Sequence, residues 1–64
     1  MELIEGQKYK PIHKDFITGK LVKSRKQWEF VGTQTGGLMN CLYYIFTTET
    51  STKAIPEYLF KGVA

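Results

Sequence analysis

The run from Leu38 to Phe46, LMNCLYYIF, carries apolar side chains at both odd and even positions. A strand hides only one of these sets in a one-sided core, so this chain must cover a second face, expose it, or close its sheet on itself. Helical spacing is hard to find elsewhere. β-Branched and aromatic residues cluster in short runs broken by Gly, Pro, Asn or Thr, the pattern of several short strands. The expected class is mostly β, with strands over 7–12, 20–23, 26–33, 39–48 and 59–63. Gly19 in FITGK and Gly36-Gly37 in TQTGGL supply the positive φ angles of tight turns. The polar TTETSTK reads as a turn between strands.

Pairing the two central strands around Gly36-Gly37 gives a register that places Trp28 opposite Tyr44 and Phe30 opposite Leu42, with Phe46 continuing the row. The largest side chains then share one face, the core. The other face carries Gln27, Glu29 and Val31 against Cys41, Tyr43 and Ile45. A slip setting Trp28 against Tyr43 exposes Leu42, Tyr44 and Phe46 instead. In a closed barrel the curl of the sheet covers this second face; otherwise Val31, Tyr43 and Ile45 form the apolar centre of a protein-binding patch rimmed by Gln27 and Glu29.

With 64 residues the chain has room for one domain, residues 1–64, with no repeats. A core of this size supplies only about 3–5 kcal/mol, so small domains often add a disulfide, a metal or a partner. Cys41 is the sole cysteine and His13 the sole histidine, which excludes an internal disulfide and a Cys/His zinc site. No cofactor is expected. The start, MELIEGQKYK, lacks the apolar stretch of a secretory signal, and no segment is long enough to span a bilayer. A free thiol without an export signal reads as cytoplasmic. The initiator Met1 suggests a stand-alone protein.

Near the C-terminus, STKAIPEYLFKG sets a proline after an apolar residue and a tyrosine two positions later, predicting a 3₁₀ turn over 56–59. This segment, Ile55-Pro56-x-Tyr58, resembles the last turn of SH3 domains. KYKPI, the HKDFITGK loop and the Trp28 strand follow a similar layout. The resemblance implies a five-stranded SH3-like barrel, and proline-rich peptide binding through Tyr9, Trp28, Pro56 and Tyr58. Two departures weaken the second implication: one residue rather than two separates proline from tyrosine, and the acidic cluster of the family is absent. On the residues alone, Trp28 and Tyr58 read as core.

Seven of the nine basic residues, Lys8, Lys10, Lys14, Lys20, Lys23, Arg25 and Lys26, fall in one stretch against one acid, Asp15. Such a surface could track a phosphate backbone, with Phe16 stacking on a base. Lysines also occupy solvent faces and strand edges simply to discourage aggregation. Catalysis has the least support. His13-Lys14-Asp15 gathers ionisable groups, but strand neighbours point apart, and neither a nucleophile arrangement nor a phosphate-binding glycine motif occurs. The sequence therefore predicts a non-enzymatic module acting through a protein partner or self-association, as adaptor, subunit or inhibitor. Nucleic acid is the alternative partner, and none is expected in a membrane.

Overall fold

The computed structural model describes residues 2–37 and 40–64. Seven strands form: β1 (Lys8–Tyr9), β2 (Pro11–Lys14), β3 (Leu21–Lys23), β4 (Trp28–Gly36), β5 (Cys41–Thr47), β6 (Thr52–Pro56) and β7 (Phe60–Val63). They make two antiparallel sheets, ordered β1-β4-β5-β6 and β3-β2-β7. One sheet curls into a half-barrel, so the architecture is all-β and compatible with a small barrel. It is not the closed five-stranded barrel expected from the sequence.

Three short connections pass between the sheets, at Lys10, over residues 24–27 and over residues 57–59. Lys10 alone separates β1 from β2, and its carbonyl accepts a hydrogen bond from the Ala64 amide at 2.9 Å. The chain thereby passes from the edge of one sheet to the middle of the other. At the opposite end Glu57, Tyr58 and Leu59 form a turn from β6 to β7. The Leu59 amide donates to the Pro56 carbonyl at 2.9 Å, and the Glu57 amide donates to Leu42 at 2.8 Å. The expected 3₁₀ segment near Pro56 is not shown: Pro56 still belongs to β6, and the residues after it make a simple hydrogen-bonded turn.

The expected strand over 7–12 is broken at Lys10, and β6 was absent from the sequence reading. The Thr/Ser run does turn, but over four residues only. Thr48 and Ser51 close it by a backbone bond of 2.7 Å, while Ser51 donates back to the Thr48 hydroxyl at 3.1 Å. The strand resumes at Thr52. The expected Met39 start of β5 lies outside the described residues.

β4 alternates buried and exposed residues over Trp28, Glu29, Phe30 and Val31, the period of a half-buried strand. Its register differs from the expected one. Phe30 sits opposite Phe46, not Leu42, and Tyr44 sits opposite Thr33, not Trp28. The displacement at Phe30 is an even number of residues, so the faces keep their identity even though the partners change. Beyond Phe30 a bulge intervenes: Val31 is the extra residue, and Gly32 takes the place opposite Ile45.

The core holds Trp28, Phe30, Phe46 and Ile55, with Leu3, Tyr9, Tyr44, Leu59 and Phe60 packed against it. Phe46 is completely buried. Its ring lies 5.4 Å from Phe30 and 6.0 Å from Phe60, while Tyr44 stacks on Phe60 at 4.3 Å. The indole N–H of Trp28 donates to the Ser24 hydroxyl at 3.0 Å, which donates to the Lys26 carbonyl at 2.7 Å. A buried tryptophan needs such a partner for its one polar atom.

Candidate binding surface

Alternation along β5 puts Cys41, Tyr43 and Ile45 on the face away from Phe46. Tyr43 pairs with Gln34 and Pro56, and Ile45 with Gly32 and Ala54. Tyr43, Ile45, Gln34 and Ala54 line a shallow hollow that also reaches Thr35, Gly36 and Gly37. The small residues let Tyr43 lie low: a Cβ on Gly37 would come within 3.1 Å of its hydroxyl oxygen. Tyr43 and Ile45 are therefore half-buried rather than open. The neighbouring Cys41 thiol raises the Tyr43 phenol above its ordinary value. Cys41 is free and itself half-buried.

Val31 is exposed in the bulge, next to Gly32, but does not line the hollow. Glu29 shares the face of Tyr43 and Ile45 through its pairing with Thr47. With Gln27 it borders a second depression, among Lys8, Lys26, Thr48 and Glu49. The expected patch is thus spread along one sheet face: apolar at the Tyr43 end, mixed in charge at the Glu29 end.

The basic stretch divides. Lys8 pairs with Glu29 across the sheet. Lys10 lies at the kink between the sheets, and Arg25 and Lys26 in the loop before β4. The Lys26 ammonium stands 5.1 Å from the Trp28 ring centre, and that of Lys53 4.3 Å. Lys14 and Lys23 fall on one face of the β2–β3 hairpin, with Leu21 between them, and Lys20 stands at its turn.

Trp28 is buried, as its core reading expects, whereas Tyr58 is half-exposed, against its core reading. The hydroxyl of Tyr9 is taken by the Ile4 amide at 3.0 Å. The aromatic groove implied by the SH3 resemblance thus lacks an open tryptophan face.

His13 and Asp15 both border a hollow between the hairpin and β6, together with Phe16, Lys53, Pro56 and Leu59. His13 Nδ1 is buried without a hydrogen-bond partner among the described residues. Burial first, then the positive charge of Lys53, lowers the imidazole below its ordinary value, and Asp15 opposes this. Burial and Lys26 lower Lys53 in turn. The Asp15 carboxylate accepts the Ile17 and Thr18 amides at 2.8 and 2.9 Å, which holds it below the usual carboxylate range, Thr18 contributing most. Its Oδ1 thus shapes the turn. Among the described residues no group of three His, Cys, Asp or Glu side chains could hold a metal ion.

The sequence reading passed over the apolar part of the hairpin. Phe16 is 76% exposed and Ile17 90%, with Leu21 and Val22 exposed behind them. The available signal was an apolar pair set between Asp15 and Gly19, where a turn needs neither. Comparison with protein-family models, curated proteins and solved structures finds no match at the level that would carry an argument.

Proposed function

We propose that this chain is a small non-enzymatic binding domain that works by protein–protein interaction, covering a surface of a larger protein as adaptor, subunit or inhibitor. The observation carrying this reading is the face of β4 and β5 turned from the core. There Tyr43 and Ile45 line an apolar hollow while the bulge leaves Val31 in solvent. An aromatic beside aliphatic side chains, with polar groups at its margin, is the usual make-up of an interface centre. An SH3-like arrangement is also proposed, supported by the order of hairpin β2–β3, meander β4–β5–β6, tight turn, and β7 returning to β2.

The test is a tagged pull-down from the native host's lysate after nuclease treatment and a high-salt wash, run with wild type, Val31→Asp and Ile45→Lys. The expected outcome is a stoichiometric protein held by wild type and lost with both variants, whose melting stays close to wild type for Val31→Asp. Material lost on nuclease or salt treatment transfers the function to the basic residues and nucleic acid. Retention by both variants removes this face from the interface.

A further inference from the structure

The turn of the β2–β3 hairpin is built by polar and backbone groups alone. Asp15 accepts two amides, its own amide donates to the Lys20 carbonyl at 2.8 Å, and the Gly19 amide donates to the Asp15 carbonyl at 2.9 Å. Gly19 takes the required φ of +74°. None of these bonds uses the side chains of Phe16 or Ile17, and neither packs into the core. A firmly held turn therefore presents two large apolar side chains, Phe16 at the edge of the hollow against β6 and Ile17 almost fully open to water.

Cations are spread along the hairpin that carries this tip. Lys14 and Lys23 share the outward face of the hairpin with exposed Leu21, and Lys20 lies at the turn itself. The one acid, Asp15, is held in its charged form by the turn amides, so the hairpin carries three lysines against a single carboxylate. An apolar point backed by lysines on both strands complements a surface whose outside is anionic and whose inside is apolar.

We propose that this hairpin is a peripheral membrane contact, in which Phe16 and Ile17 enter the headgroup layer of an anionic bilayer and Lys14, Lys20 and Lys23 stay at the lipid phosphates. Three features favour lipid over the other anionic partners. Ile17 is 90% exposed on a hairpin turn, so it suits a deformable medium rather than a shaped pocket. Ile17 and Leu21 gain little on nucleic acid, whose stacking surfaces reward aromatic side chains. Lys20 flanks the apolar pair at the turn, and Lys14 and then Lys23 follow further back along the hairpin, the side on which headgroup phosphates lie relative to acyl chains. No spanning segment is required, and the inference is independent of the sheet face proposed above. With two inserted side chains and three cations the contact is reversible and weakens with salt.

The test is co-sedimentation of the full chain with vesicles of equal parts phosphatidylglycerol and phosphatidylcholine, against vesicles of phosphatidylcholine alone. Wild type should partition onto the anionic vesicles only. Phe16→Ser/Ile17→Ser, which keeps every charge, should lose about ten-fold or more in partitioning, and Lys14→Glu/Lys20→Glu should lose it as well. Both variants alter exposed positions, and an unchanged melting curve verifies their fold. Phe16→Trp should shift its emission to the blue on anionic vesicles and be quenched by bromine-labelled acyl chains. Absence of binding to anionic vesicles overturns the proposal. So does binding that survives the double serine variant, which is surface adsorption by charge alone. Tip-dependent binding to a single-stranded oligonucleotide or an acidic protein, with none to vesicles, also overturns it.

Discussion

His13 shows how much a single side chain's setting differs from its sequence neighbourhood. Beside Lys14 and Asp15 it looks like part of a charged cluster. In the fold it turns inward, loses water from Nδ1 and meets the charge of Lys53. Its folded-state value lies below the ordinary 6.5, so the unfolded chain binds the proton more readily. Stability is then full above that ordinary value and falls as pH drops through it toward the folded value. The melting temperature should decline from neutral to mildly acid pH, as a thermal scan across that range will read. Lys53→Met removes one cause and keeps an apolar stem over Trp28. It should move the His13 midpoint upward in an NMR titration; an unmoved midpoint would mean burial alone sets the value.

Among the elements, β4 shows best what alternation can and cannot do. Up to Phe30 the buried and exposed residues follow simple period-two order. The extra residue at Val31 then reverses it, so that Thr33 faces Tyr44 and Gln34 faces Tyr43. Gly32 permits this reversal with a φ of +145°, a region almost closed to other residues. Gly32→Ala should cost about 1–3 kcal/mol from backbone strain, measured by urea unfolding. Steric clash is not the cause, because the nearest atom to a new Cβ is the Glu5 carboxyl carbon at 3.6 Å. An unchanged midpoint would show that the bulge relaxes without its glycine.

At the scale of the whole molecule, two thin sheets share one small aromatic core and are joined through Lys10, the loop 24–27 and the turn 57–59. Phe46 is its centre, fully buried and in ring contact with residues of both sheets, Phe30 in β4 and Phe60 in β7. Truncating a buried phenylalanine costs about 3–5 kcal/mol, comparable with the whole reserve of roughly 3–5 kcal/mol in a single core of this size. Phe46→Ala should therefore be unfolded at room temperature, seen as collapsed amide dispersion in its NMR spectrum. A folded variant would mean that other packing carries the domain.

The sequence alone determined the β class, the turns at Gly19 and Gly37, and the division of β5 into two alternating sets, while the shared core decided which set faces inward. Each of the first three is a local consequence of side-chain shape, glycine freedom or two-residue alternation, and needs no knowledge of distant partners. Only the tertiary structure decided the Phe30–Phe46 register, the bulge at Val31, the break at Lys10 and the strand at Thr52–Pro56. It also divided the basic stretch among separate surfaces and left Phe16 and Ile17 outside the core. These depend on hydrogen bonds and packing between segments far apart in the chain. Short apolar runs fit several registers about equally well, and the shared core selects among them.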